Sequence, residues 1–355
     1  MSASPTATTP APAPESLPTR ASRRTRRRRS RAIRNAAIAF GVVAVLILAV
    51  LGAGAVLLQN LVGQNLTTLA STEAFPDEAG RPAPSTGAMN ILLLGSDSRQ
   101  TTSSHDLESA GSQRADTMML VHVSEDCSHV SVMSVMRDLW VDVPGHGKAK
   151  VNASLAWGGT PLAIQTLEKL LGARIDHVAI IDFAGLASMT TSLGGVVVDN
   201  PQAFTASRGD DRFFPEGEIE LEGDRALVFA RERYAFPTGD YQRVANQQLL
   251  LKGILSRAIS RDVLADPRAL ADFASETSKN LTVDSGFTLR AAGSLAYSLR
   301  GIDLSGFSFF TMPTAGTGME GDQSVVRVDE AATARLRQAL HDDTLQAFEA
   351  SLHRG

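Results

Sequence analysis

The segments MNILLLGSDSR (Met89–Arg99), RADTMMLVHV (Arg114–Val123) and VSVMSVMRD (Val130–Asp138) decide the fold. Each is a short apolar run bounded by Gly, Ser, Asp or Arg, the pattern of a strand covered on both faces. Strands are expected at Asn90–Leu94, Thr117–Val123, Val130–Val135 and Val178–Asp182, with another near Val196–Val198. Helical patterns follow at Thr160–Leu171, Phe183–Leu193 and Asp224–Arg231, with a longer one from about Asp240 to Ile259. Strands alternating with helices predict an α/β domain whose sheet carries helices on both faces.

The rest of the chain differs in composition. Residues 1–34 are rich in Pro, Thr, Ser, Ala and Arg and almost free of large apolar side chains. Such a segment cannot bury enough surface to offset its ordering entropy, so it reads as a disordered basic tail. Its arginines, from Arg20 to Arg34, make the remainder more acidic than the overall net charge of −4 suggests. Ala36–Leu58 follows without a charged residue. Roughly 20 apolar residues cross a bilayer as a helix, so the segment 35–58 is expected to be a transmembrane helix. Arginines on its N-terminal side alone predict a cytoplasmic N-terminus and an extracytoplasmic remainder. A cleaved signal peptide is the alternative, given the small-residue pattern Ala53-Gly54-Ala55, but the run exceeds a usual h-region of roughly 7–15 residues. Residues 59–88, with Pro76, Pro82 and Pro84, read as a juxtamembrane stalk. Cys127 is the only cysteine, which excludes an intramolecular disulfide, and the histidines show no zinc-ligand spacing. No helix-turn-helix pattern or basic recognition helix follows the anchor, so nucleic acid is not an expected partner.

In open α/β sheets ligands gather beyond the carboxyl ends of the strands. Gly95–Arg99 follows the first strand and Met136-Arg137-Asp138 the third, while Arg114-Ala115-Asp116 precedes the second. Downstream stand Arg231-Glu232-Arg233-Tyr234 and then Asp240, Arg243 and Gln247, spaced i, i+3, i+7 on one helical face. Arginine offers a planar fork of donors suited to phosphate oxygens. Carboxylates interleaved with it repel phosphate unless a divalent cation intervenes, and Mg²⁺ forms such a bridge. The plainer reading is a set of surface ion pairs, with Asp138 and Glu232 serving equally well as turn or cap residues.

Taken together, GSDSR, RADTMMLV, SVMRD, KVNASLAWGG, LGGV at Leu193–Val196, and RERY followed by D-x-x-R-x-x-x-Q resemble the sequential motifs of the LytR-CpsA-Psr family. The resemblance runs from about Asn90 to Gly253 and on through MPTAGTG and SVVRVDE toward Asp343. The Arg- and Ala-rich, Lys-poor composition is of the actinobacterial type. The resemblance implies a three-layer α/β/α sandwich with a mixed, mostly parallel central sheet, occupying 89–345 as the catalytic domain, with 346–355 as a tail. It implies a polyprenyl pyrophosphate held in a long apolar groove, expected along the helices from Thr160 to Leu193, with its head group under arginines and Mg²⁺, or Mn²⁺ in its place. Asp97 and Asp116 match the metal-associated carboxylates. Arg99, Arg114, Arg137, Arg231, Arg233 and Arg243 match the pyrophosphate ligands, with Gln247 nearby and Lys150 as a further phosphate contact. Arg137, Asp97 and Asp240 are the catalytic candidates, the two acids as potential proton acceptors. Met136 stands where the family commonly has Pro, a departure that touches loop geometry, since proline fixes φ.

The implied activity is transfer of a glycopolymer phosphate from its polyprenyl-pyrophosphate carrier to a peptidoglycan sugar hydroxyl at the outer face of the cell membrane. Hydrolysis of the same pyrophosphate, or lipid binding without turnover by a membrane-tethered regulator, are the alternatives.

Overall fold

Because the apolar runs are separated by connections of very different length, they do not all pair in one direction. The computed structural model describes residues 65–84, 87–96, 115–207 and 211–352. Its central sheet has seven strands: β1 (Thr67–Leu69), β2 (Met89–Ser96), β3 (Ala115–Val123), β4 (Val130–Val135), β5 (His177–Asp182), β6 (Leu281–Asp284) and β7 (Phe307–Thr311), in the order β1-β6-β5-β2-β3-β4-β7. Three pairings are parallel (β1 with β6, β2 with β5, β4 with β7) and three antiparallel. The sheet is therefore mixed, and the expectation of a mostly parallel one is corrected. A strand buried on both faces carries the same apolar run in either direction. The short turn between β3 and β4, closed by Ser124 N–H to His129 O at 3.0 Å, permits only an antiparallel pair.

Helices cover both faces, as a three-layer arrangement requires. On one face Leu92, Leu94, Met118, Leu120, Met133 and Val135 join a core with Ile164, Leu167 and Leu171 of α1 (Val151–Leu171). Leu336 and Leu340 of the later helix Glu330–His341, and Phe348 of Leu345–Leu352, complete it. A second core lies between the antiparallel strands Val196–Asn200 and Gly217–Leu221 and the helices α2 (Phe183–Ser192), α3 (Gly223–Arg231) and α4 (Asp240–Ala258). It holds Val196, Val198, Phe204, Phe214, Phe229, Leu250 and Ile254. Gly253 lets α4 approach the strand, since a Cβ there would stand 2.9 Å from Val197 O.

Helix α1 starts at Val151, nine residues before the expected Thr160. It is two helices joined at a kink: Gly158 and Gly159 leave helical φ/ψ, and Pro161 then opens the second segment, where its missing N–H costs nothing. The apolar face of that second segment is packed core, so the groove expected along Thr160–Leu171 is not there.

Both ends of the expected domain also move. The segment read as a stalk contributes β1 to the sheet, and Arg81 forms a fork with Glu168 of α1 at 2.7–3.2 Å, with side chains only 5% and 2% exposed. At the other end Leu345–Leu352 is a helix that buries Leu345 and Phe348, so residues after 345 belong to the fold. Among the described residues no helix is long and apolar enough to cross a membrane. The basic tail and the expected span Ala36–Leu58 lie outside the described residues.

Candidate active site

Strand β4 ends at Val135, and the chain turns at once, with Leu139 N–H donating to Met136 O at 2.9 Å. Met136 is 1% exposed in the first core, so its burial anchors the turn that the family's proline would otherwise restrict. That anchor presents Arg137 and Asp138 at the carboxyl end of β4. The backbone carbonyl of Arg137 accepts from Asn152 N–H at 3.2 Å, which docks the start of α1 against the turn, and Lys150 pairs with Asp138 at 3.2 Å.

Helix α4 begins at Asp240, after Gly239 in a positive-φ conformation. A carboxylate in a first turn is favoured by the helix dipole. Around it converge Arg137 (Nε to Oδ2, 2.8 Å), Arg233 (NH1 to Oδ1, 2.9 Å) and Arg243 (NH2 to Oδ2, 3.2 Å). Burial alone raises the pKa of Asp240, but the hydrogen bond from Arg233 and the charges of Arg243 and Arg137 outweigh it, and the net shift is downward. Asp240 is thus a poor proton acceptor, and as the hub of three guanidinium groups it is a positioning residue. One turn beyond Arg243, Gln247 is buried, and among the described residues both its amide atoms lack a hydrogen-bond partner.

The loop between α3 and α4 is organised by Glu232, which is 6% exposed. Its carboxylate accepts from the backbone N–H groups of Arg233 (2.8 Å), Tyr234 (2.7 Å) and Ala235 (3.0 Å) and from Ser207 N–H (2.7 Å) and Oγ (2.8 Å). Burial raises its pKa, yet the Ser207, Ala235 and Tyr234 donors outweigh that and leave it lowered. Glu232 therefore fixes the turn that follows Arg231 and carries Arg233. Arg231 has its pKa lowered by burial and lines a cavity beside α3.

Of the sequence-predicted residues, Arg137, Arg233, Arg243 and Asp240 are in direct contact, with Lys150 joined through Asp138. Asp97, Arg99 and Arg114 lie outside the described residues, and of Asp116 only the backbone is described. That backbone is informative. Gly95 pairs with Thr117 but Ser96 with Ala115, so Asp116 is the extra residue of a β-bulge opposite the step that leads into Asp97. Bulges of this kind are frequent next to active sites. Among the described residues no group of three or more His, Cys, Asp or Glu side chains could hold a metal ion.

The LytR_cpsA_psr family matches residues 62–342. The chain belongs to that family. A LytR-CpsA-Psr relative from Enterococcus faecalis, the polyisoprenyl-teichoic acid–peptidoglycan teichoic acid transferase TagU, is 31% identical over 307 residues, covering 86% of this chain and 95% of that protein. The probable cell wall biosynthesis protein LcpB of Corynebacterium glutamicum is 34% identical over 259 residues, 71% of this chain and 60% of its own length. Among solved structures, B. subtilis TagV has the same fold with a TM-score of 0.60 at 22% identity, covering 72% of this chain and 97% of that one. TagT bound to LI-WTA gives 0.57 at 21% identity, with coverage of 78% and 99%. The LytR-CpsA-Psr match begins before β1 and ends after Glu330–His341, in keeping with a domain wider than 89–345 at its start.

Proposed function

We propose that this protein transfers a glycopolymer phosphate from a polyprenyl-pyrophosphate carrier to a peptidoglycan sugar hydroxyl during cell-wall assembly. It acts outside the cell membrane, to which Ala36–Leu58 anchors it by a single pass with the N-terminus in the cytoplasm. The observation that carries this reading is the Asp240 hub. Three guanidinium charges less one carboxylate leave two net positive charges, a match for the two negative charges of a pyrophosphate diester. The names of the two relatives, a teichoic acid transferase and a probable cell wall biosynthesis protein, point the same way.

A lipid carrier needs an apolar surface beside that charge, and one adjoins it. Cross-strand pairing places Ile91, Val121, Val132 and Phe309 in one row on the face opposite α1, with Leu93 and Ile181 on the same face. All but Val132 are partly exposed, although the other face of these strands is packed. Helix α4 lies over this face, where Gln248 Nε2 donates to Ser134 Oγ and Phe310 O at 2.8 Å, and Leu251 and Leu255 follow on Gln248's side of the helix, also partly exposed. This half-covered strip is our choice for the isoprenoid chain.

In the reaction the acceptor hydroxyl oxygen forms a bond to the phosphorus nearer the glycopolymer, the bond from that phosphorus to polyprenyl phosphate breaks, and the hydroxyl's proton leaves to the departing phosphate. Such displacements need positioning and charge neutralisation more than covalent catalysis. Arg137, Arg233 and Arg243, aimed by Asp240, hold the pyrophosphate oxygens; Arg231 enters from the cavity side, and Gln247 offers its amide one turn from Arg243. Arg99, Arg114 and Lys150 are assigned as further phosphate contacts. Asp97 and Asp116 would hold Mg²⁺, or Mn²⁺, which supplies charge neutralisation between phosphate oxygens when bound.

The test is a transfer assay with a lipid-linked donor across a Mg²⁺ titration that includes EDTA. Turnover that EDTA leaves intact, together with near-full activity of Arg137→Ala, would sink this assignment. Loss of activity in Asp97→Asn and Asp116→Asn with partial rescue by added Mg²⁺ supports it.

A further inference from the structure

In the motif KVNASLAWGG (Lys150–Gly159), Lys150 and Asn152 serve the turn that carries Arg137, whereas Trp157 is 50% exposed. Its neighbours enforce that exposure. The helix breaks directly after it, because Gly159 at φ +62° holds a conformation that L side chains rarely adopt, and a Cβ on Gly158 would stand 2.6 Å from Leu162. The antiparallel hairpin of strands Leu139–Val143 and Gly147–Lys150 shares the first core with α1 and turns at His146. There the imidazole stacks on the indole, with ring centroids 4.8 Å apart and planes 25° from parallel. The turn is fixed by His146 N–H donating to Val143 O at 3.0 Å, with positive φ at Gly145 and Gly147. A Cβ on either glycine would meet nothing within 4 Å, so this rim of the stacked pair is open.

Such an aromatic island selects its ligand. A protein partner needs a contiguous interface of about 800 Å² per side, and the residues that flank the two rings are Gly145, Gly147, Lys148, Gly158 and Gly159. An isoprenoid has its strip on the face of the sheet opposite α1. A pyranose carries C–H groups on one ring face and hydroxyls around its edge, which suits a flat aromatic surface with polar surroundings. We propose that Trp157 and His146 form a stacking platform for a pyranose unit of the glycan substrate. The proposal rests on the transfer reaction above. Lys150 pairs with Asp138 at 3.2 Å and Asn152 N–H donates to Arg137 O at 3.2 Å, so the start of α1 is docked beside the arginine hub. From Lys150 to Trp157 the helix rises about 10 Å, the length of a disaccharide. A saccharide chain whose reacting end lies at the hub therefore lays a following unit over the indole. Both substrates carry pyranoses, the acceptor glycan and the glycopolymer on its carrier, and the experiment separates them.

The full chain is used in detergent micelles, with a soluble N-acetylglucosamine–N-acetylmuramic acid oligosaccharide as acceptor and polyprenyl-pyrophosphate-linked chitobiose as donor. Saturation-transfer NMR reads binding of the oligosaccharide and of free chitobiose without turnover, and a transfer assay reads the two KM values separately. Trp157→Ala is expected to abolish the saturation-transfer signal and to raise the KM of the substrate whose sugar stacks there about tenfold. A rise in the acceptor KM assigns the platform to the wall glycan, and a rise in the donor KM assigns it to the glycopolymer. Trp157→Phe, which keeps an aromatic face, is expected to retain most of both readouts, and Trp157→Leu, which keeps only apolar bulk, is expected to behave like Trp157→Ala. His146→Ala, which leaves the indole in place, is expected to weaken both readouts in the same direction. A folded Trp157→Ala protein with wild-type signal and both KM values unchanged overturns the proposal and leaves the reaction standing. Trp157→Leu equal to Trp157→Phe also overturns it, since that would make the contact plain apolar packing. Wild-type protein that binds the sugars through Trp157 yet transfers nothing refutes the reaction while leaving the platform in place.

Discussion

Replacing Asp240 by Asn preserves shape and removes the charge on which Arg137, Arg233 and Arg243 converge at 2.8, 2.9 and 3.2 Å. The Arg137 and Arg233 contacts are charge-assisted hydrogen bonds of about 1.5–3 kcal/mol and the Arg243 contact is an ion pair, but contacts that share one carboxylate are not additive. Breaking a buried ion cluster by removing one partner costs about 3–5 kcal/mol. With the Asp240 side chain 15% exposed and the arginines between 7% and 28%, water recovers part of that, and a loss of about 2–3 kcal/mol is expected. Urea unfolding followed by the fluorescence of Trp140 and Trp157 reads this directly. Inorganic pyrophosphate adds the decisive arm. With its internal anion gone, the cluster should be stabilised by pyrophosphate more in Asp240→Asn than in the wild type, while transfer falls because the guanidinium groups are no longer aimed. If the variant unfolds at the wild-type urea concentration and pyrophosphate shifts both proteins equally, Asp240 is not the hub.

Arg81→Ala leaves Glu168 buried without its fork, and a destabilisation of about 3–5 kcal/mol is expected by thermal or urea unfolding, partly recovered by adding Glu168→Gln. Gly253→Ala places a Cβ 2.9 Å from Val197 O, and overpacking of about 1–3 kcal/mol should appear as a lower unfolding midpoint without an altered Mg²⁺ requirement. Asp240 and Glu232 both have lowered pKa values, so their stabilisation is complete above the unfolded values of about 3.9 and 4.3 and is lost as pH falls through the lower folded values. Unfolding free energy measured from pH 6 downward should therefore fall toward pH 3, and the fall should be shallower in Asp240→Asn.

The strands carrying the site were legible because each is a bounded apolar run: β2 to β5 start or end within a residue or two of their expected limits. Leu281–Asp284 and Phe307–Thr311 were not, since four or five residues without period 2 give no signal apart from their neighbours. Outside the short β3–β4 connection direction was equally hidden, because burial on both faces erases the alternation that marks an antiparallel strand. The i, i+3 spacing of Asp240 and Arg243 was readable as a helical pair, whereas the contact of Arg137 with Asp240 spans 103 positions and exists only in the tertiary fold. The groove was expected along the helices from Thr160 to Leu193 because core and groove share one apolar periodicity, and only exposure separates Ile164 of α1 from Ile91 of β2. Glu232 illustrates a third case: the plain reading as a turn residue described its contacts correctly, and those contacts are what fix the flanking arginines.

The pairing of β1 with β6 has a mechanical consequence. A chain tethered through its N-terminus is pulled there first, and β1 offers only three residues of parallel pairing at the sheet's edge. Force applied at Thr67 peels this strand and the turn of helix after it until it reaches Arg81, where the buried fork to Glu168 resists. The residues from Thr67 to Arg81 then act as spare line of about 50 Å at roughly 3.4 Å per residue, paid out before the other six strands of the sheet are disturbed. A force–extension trace pulled from the N-terminus should show that step ahead of the main rupture, and a single rupture without it would mean that β1 yields only with the whole fold.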